Sequence, residues 1–387
     1  MSDHQVSAPN LAELQTHHSA KWRGFASDVL PLPVAEMDFP VAEPIKAILS
    51  EMVANSDLGY LDSIPELGLG FQKFAAERWG WNVDPLQVRA ATDVGVAVVE
   101  ILRVITQPGD SILLSSPVYH NFYTWIDETK LNKVDVPFER TGDESKNPWE
   151  INWDGIEKAY AKGVKVHLLC SPHNPLGRIY SEEELRRITA LAKKHNVIVI
   201  SDEIHAPLTY KDETFIPYLS LGKDAEEVGI TVTAASKGWN IAGLKCAIIV
   251  SQNEAMHLRL NGLAMAMPYR ASLLGGFATA VAFADCTEWL DTVLENLDHN
   301  RKMIKDLLDA KLPSVRYHIP QNGYLAWLDL ESLQLGEDPN ATLIEKGRVA
   351  FNAGHTFGAQ CSQYVRLNFA TSPTIITEAI ERIARSI

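Results

Sequence analysis

The run Val197-Ile198-Val199-Ile200, arriving directly after the amphipathic stretch Ser181–His195, constrains the fold of this chain more than any other feature. A strand apolar on both faces must be covered on both, and an amphipathic helix just before it supplies one cover. Ser181 and Glu184 have the spacing of a capping box, which fixes where that helix starts. Short apolar runs alternate with helical periodicity from about Leu86 to Val250, predicting an α/β architecture around a mostly parallel central sheet. The candidate strands are Ser111–Leu114, Lys133–Val136, Val166–Cys170, Val197–Ser201, Thr231–Ala234 and Cys246–Val250. In such a sheet the loops at the strand C-terminal ends carry the function.

From about Thr287 a long helical stretch leads into Tyr324–Leu330, then Tyr364–Phe369 and a last helix, the pattern of a smaller α+β C-terminal domain. The expected division is therefore an N-terminal segment over residues 1–50 packing with the small domain, a large domain over 51–286 and a small one over 287–387. Pro31, Pro33, Pro40 and Pro44 predict that the N-terminal segment runs across the surface before the first full helix. Ala271–Ala284, with its Gly275-Gly276 pair, falls short of the roughly 20 residues of a membrane span and reads as a buried helix. With 46% hydrophobic and 22% charged residues the chain is globular rather than disordered. A formal charge of −14 argues against nucleic acid or an anionic membrane surface as a partner. Met-Ser-Asp-His-Gln at the N-terminus has no basic region leading into an apolar core, so the cytoplasm is the expected compartment. Cys170, Cys246, Cys286 and Cys361 are far apart and read as reduced core residues, with neither disulfide nor metal spacing.

Four strand ends carry side chains suited to chemistry. After Thr231-Val232-Thr233-Ala234 comes Ser236-Lys237-Gly238, where small residues let the backbone approach a ligand. Lys237 reads either as a surface lysine in a turn or as a Schiff-base lysine, which would imply pyridoxal phosphate. Asp202 follows its strand directly and suits either a loop cap or the pairing of a pyridinium nitrogen. Asn174, between Pro172 and Pro175, is a turn residue or a ligand of a phenolate oxygen. Tyr119, after Ser116-Pro117-Val118, is a core aromatic or a ring stacked on a cofactor. Thr92-Asp93-Val94-Gly95-Val96 opens a helix reaching Ile105, whose free N–H groups are simply capped or hold a phosphate. His205 has no second ligand at metal-binding spacing, so no metal site is expected.

Gly95, Tyr119, Asn174, Asp202, Ser236-Lys237 and Arg366 fall in one order along the chain. That order resembles the fold-type I pyridoxal phosphate enzymes, the aspartate aminotransferase superfamily. Lys21-Trp22, the segment Leu30–Phe39 and Asp202-Glu203-Ile204-His205 sharpen the resemblance to C–S lyases of the MalY/PatB type. The resemblance implies that Lys237 is the imine lysine and proton shuttle, Asp202 the partner of the ring nitrogen and Asn174 the ligand of the 3-oxygen. Tyr119 would stack on the ring and is a candidate acid toward the leaving thiol. Gly95, Val96 and Ser236 would hold the phosphate, with Tyr60 reaching it from the second subunit of a homodimer with shared sites. His205 and Lys245 join the cofactor's neighbours, while Arg366 would clamp the substrate carboxylate and Glu36 border the substrate.

Lys245 stands where the wider superfamily has an arginine, a point charge in place of a planar fork. Ala234 replaces a hydroxyl residue, Pro33 a tryptophan, Glu36 an aspartate and His205 a tyrosine of the aminotransferases. The implied activity is β-elimination from L-cystathionine or a related S-substituted cysteine, giving pyruvate, ammonia and a thiol. An aminotransferase and a non-catalytic cofactor-binding regulator are the alternatives.

Overall fold

In a computed structural model, which describes residues 6–142 and 147–387, the apolar runs form the predicted sheet. Its strands are β1 (Val88–Ala91), β2 (Ser111–Leu114), β3 (Asn132–Asp135), β4 (Val166–Cys170), β5 (Ile198–Asp202), β6 (Gly229–Thr233) and β7 (Ala247–Val250). They lie in the order β1-β7-β6-β5-β4-β2-β3. Every pairing is parallel except those of β7, which runs antiparallel to β1 and β6. Strands β4, β6 and β7 are buried at every position, as continuous apolar runs between two helical layers must be. The helix Glu182–His195 starts at Ser181, and the capping box with Glu184 is formed.

Strand β5 ends at Asp202. The Ile204 amide donates to Asp202 Oδ1 at 3.2 Å, and Pro207 lies within a 3-10 turn at Ala206–Leu208. An Asx turn followed by a proline cannot continue a central strand, so Glu203 and His205 are not on one strand face. Instead Glu203 is buried beneath the sheet end, accepting from Ser201 Oγ (2.9 Å) and the Tyr218 amide (2.8 Å).

A second, antiparallel sheet has the order β8-β9-β11-β10, with β8 Arg316–Tyr317, β9 Leu325–Asp329, β10 Asn352–Ala353 and β11 Tyr364–Asn368. The helices Thr287–Lys311 and Pro373–Ala384 pack together beside it. The stretch read as a buried helix is one, Leu273–Asp285 with Ser272 as its cap. Gly275 is required there, because a Cβ would stand 2.0 Å from the Leu244 carbonyl oxygen. All four cysteines are buried and unpaired, and no helix among the described residues is long and apolar enough to cross a membrane.

The N-terminal segment does not run across the surface. Leu30, Leu32, Met37 and Phe39 are buried, and Leu30–Pro31 pairs in parallel with Val349–Ala350. Its apolar content outweighs its prolines, two of which, Pro31 and Pro33, are buried with it. A fully buried ion pair pins the segment: Lys21 Nζ lies 2.7 Å from Asp38 Oδ2, while Trp22 Nε1 donates to Oδ1 at 3.1 Å. The irregular backbone between them is satisfied by two asparagines. Asn240 accepts from the Met37 amide (3.0 Å) and donates to the Met37 (3.0 Å) and Phe39 (3.2 Å) carbonyls. Asn368 donates to the carbonyls of Val34 and Glu36, each at 2.6 Å.

Candidate active site

The C-terminal ends of β2, β4, β5 and β6 open on one cavity of about 760 Å³, roofed by the segment Pro33–Ala35 and bordered by β11. Residues from every one of these elements line it: Tyr119, Asn174, Asp202, Lys237 and Arg366. Five residues predicted from scattered signals therefore share one space.

Lys237 is carried there by the turn after β6, where Ala234 and Ala235 are buried. Its amine donates to the Ala35 carbonyl at 2.8 Å. Burial, and then the nearby Arg366 charge, lower its pKa to about 8. Much of such an amine is neutral, hence nucleophilic, close to physiological pH.

Asp202 ends β5 on the cavity floor. Burial raises its pKa to about 7. Its Oδ1 accepts only the Ile204 amide, and Oδ2 accepts no hydrogen bond. A buried carboxyl without a cationic partner is incomplete until a protonated nitrogen meets it, and a pyridinium ring is such a group.

Arg366 is buried on β11. Its Nη1 donates to Asn174 Oδ1 at 3.1 Å and its Nη2 to the Pro33 carbonyl at 2.9 Å, while Nε has no partner. The guanidinium lies 4.9 Å from the Phe357 ring centroid. This fork is held by a side chain and a backbone oxygen rather than by a carboxylate, so its charge stays available to an anion.

At the other end of the cavity the helix Val94–Ile105 presents its N-terminus. Gly95 lets Trp125 pack onto this helix end, since a Cβ there would stand 2.8 Å from Trp125 Nε1. The Val96 amide is already bonded to the Asp93 carboxylate (2.8 Å), which also pairs with Lys245 Nζ (3.0 Å). Ser236 and Lys245 line the same end. A helix N-terminus, a hydroxyl and an ammonium form a donor set suited to phosphate. With Lys237 and Asp202, they fit pyridoxal phosphate from end to end.

His205 also lines the cavity, its pKa lowered to about 3 by burial, so it is neutral there. Glu36 does not line the cavity. Its charge nonetheless acts on Lys237 and its backbone carbonyl is held by Asn368. Tyr60 stands apart at 88% exposure, outside the cavity of its own chain. No group of three or more His, Cys, Asp or Glu residues among those described is placed to hold a metal ion.

Sequence reasoning missed the residues that hold the machinery in place. Tyr324 donates its hydroxyl to the same Ala35 carbonyl as Lys237, at 3.0 Å. Asn240 and Asn368 carry the roof segment, and Lys21 pairs with Asp38. Asn240 was legible only as part of the lysine motif; its positive φ of 58° is a conformation asparagine tolerates better than most residues.

Comparison with known proteins agrees with this geometry. The model of the family "Aminotransferase class I and II" matches residues 28–383. The cystathionine beta-lyase of Corynebacterium glutamicum is 35% identical over 97% of this chain and 98% of its own. Less similar, at 23% identity over 92% of this chain and 91% of its own, is an asparagine–oxo-acid transaminase of Streptococcus mutans. Among solved structures, cystalysin of Treponema denticola, which contains a pyridoxal 5'-phosphate cofactor, superposes with a TM-score of 0.91 at 26% identity. It covers 100% of this chain and 99% of its own.

Proposed function

The chain belongs to the class I and II aminotransferase family, and from that premise we propose that it is a pyridoxal-phosphate-dependent carbon–sulfur lyase. It eliminates the thiol from L-cystathionine or a related S-substituted cysteine, releasing pyruvate and ammonia. The observation that carries this reading is the convergence of Lys237, Asp202 and Arg366 on one cavity. The preference for elimination over transamination rests on the greater similarity to a cystathionine beta-lyase than to a transaminase.

When bound, the cofactor supplies an electron sink for the charge left at the substrate's Cα. Asp202 would pair with the ring nitrogen and keep it protonated, which deepens that sink. Arg366 holds the α-carboxylate and so orients the Cα–H bond toward Lys237. Lys237 Nζ, facing the cavity, would take the Cα proton as general base. Tyr119, which lines the cavity, would stack on the ring, and either its hydroxyl or the protonated Lys237 would pass a proton to the departing sulfur. Gly95, Val96, Ser236 and Lys245 would hold the phosphate.

The working unit in this reading is a homodimer with shared sites. Tyr60, at 88% exposed, and Met265, at 92%, are large apolar side chains left in solvent by the single chain. A second copy covers them and receives Tyr60 at its phosphate end.

The deciding experiment incubates the loaded protein with L-cystathionine and no keto acid. Pyruvate and thiol are expected in equal amounts. Turnover that needs a keto-acid acceptor and leaves the C–S bond intact makes the protein an aminotransferase, and no turnover of either kind makes it a regulator.

A further inference from the structure

Two polar side chains in the cavity wall have no part in the reaction just described. His120 follows Tyr119 directly and lines the cavity; its ring makes no hydrogen bond, and Nδ1 is buried without a partner. Asn352 lines the cavity from β10, and its amide makes no hydrogen bond either. An unpaired polar group facing a cavity is one that a bound ligand can satisfy.

Both residues adjoin Arg366. Asn352 is the direct cross-strand partner of Arg366 between β10 and β11, so the two side chains project from the same face of the sheet. The His120 ring packs edge-on against Phe357, centroids 5.8 Å apart at 86°, and Phe357 carries the Arg366 guanidinium. Burial and the Arg366 charge lower the imidazole pKa to about 4, so at neutral pH it is uncharged and offers one N–H donor.

The charge around this corner decides what it binds. The carboxylates elsewhere in the cavity wall are committed: Asp93 to Lys245, and Glu100 and Glu128 to Arg103. Asp202 lies on the floor beneath the ring position. Among the described residues lining the cavity beside Arg366 there remain a cation and neutral donors; Glu36, whose charge reaches Lys237, does not line it. The favoured occupant is an anionic acceptor.

We propose that His120 and Asn352 form a second carboxylate subsite next to Arg366, so that the preferred thioethers release a thiol that itself bears a carboxylate. A β-substituent leaves Cα beside the clamped α-carboxylate, and its far end reaches the neighbours of that clamp. The choice of thioethers rests on the elimination reading; the subsite itself does not.

Ligands without a C–S bond therefore test it. L-2-Aminoadipate and L-norleucine are the sulfur-free counterparts of S-carboxymethyl- and S-ethyl-L-cysteine, one with a distal carboxylate and one without. In calorimetric titrations of the cofactor-loaded protein, aminoadipate is expected to bind about tenfold more tightly, the strength of a hydrogen bond to a charged group. His120→Leu and, independently, Asn352→Ala are expected to shrink that ratio toward one by weakening aminoadipate selectively. Equal affinity for the two ligands in the native protein, or variants that weaken both alike, overturns the subsite. Pyruvate release from S-ethyl-L-cysteine, measured alongside, reports on elimination separately.

Discussion

Lys237 and Tyr324 share one acceptor: the Ala35 carbonyl receives the lysine amine at 2.8 Å and the tyrosine hydroxyl at 3.0 Å. The amine can leave this oxygen without orphaning it, because the tyrosine stays bonded. Lys237 is thus parked at a point from which release is inexpensive.

Cofactor uptake by the empty protein is expected to depend on the neutral form of that amine. Its pKa is lowered to about 8, so the reactive fraction grows as pH rises through that value. The rate of the absorbance change on adding pyridoxal phosphate should increase about tenfold between pH ~7 and pH ~9. A flat profile removes Lys237 as the depressed acceptor, and Lys237→Ala should show no such band.

Lys21→Met is expected to lower stability sharply, because it strands the buried Asp38 carboxylate. Breaking such a pair costs about 3–5 kcal/mol, and adding Asp38→Asn should restore part of the loss. Denaturant unfolding at neutral pH reads both variants. A loss below about 1 kcal/mol for the single substitution would mean that the pair behaves like a surface salt bridge.

Glu203 gives a pH signature. Burial raises its pKa to about 8, above the ordinary value, so its contribution to stability is full below about pH 4.5 and is lost as pH rises through 8. Glu203→Gln removes that dependence. The stability of the variant relative to the native protein should climb between about pH 4.5 and pH 8 and level off above, with a slope no greater than about 1.4 kcal/mol per unit. Parallel stability curves across that range would show that Glu203 ionises in the folded state at its ordinary pKa.

Mixed dimers test the shared site. A Lys237→Ala chain and a Tyr60→Ala chain, each impaired alone, are expected to recover activity after subunit exchange, since one of the two sites in a mixed dimer then holds both native residues. About a quarter of native activity is the ceiling if chains pair at random. Exchange verified by mass without any recovery would place Tyr60 outside the partner's site.

Much of the fold was legible because its signals are local. The run Val197–Ile200 and the capping box at Ser181 need only their neighbours in sequence to be read, and both formed as expected. The surface path expected of the N-terminal segment failed because prolines report on local chain direction, whereas burial of Leu30, Leu32 and Met37 depends on partners hundreds of residues away. In the candidate site the residues with distinctive chemistry could be named, while Tyr324, Asn240 and Asn368 could not. Their task is to satisfy particular carbonyls, and no sequence pattern says which carbonyl will be left over.

The two asparagines that hold the roof segment bridge large spans of chain: Asn240 reaches back 203 residues to Met37, and Asn368 reaches back 334 to Val34. Contacts of that separation pay their loop-closure entropy late, after locally driven helices and strand pairs exist. The roof therefore closes only once both sheets are in place. A chain interrupted before β11 holds every reactive side chain of the cavity floor but lacks Arg366 and the Asn368 that fastens the roof over them.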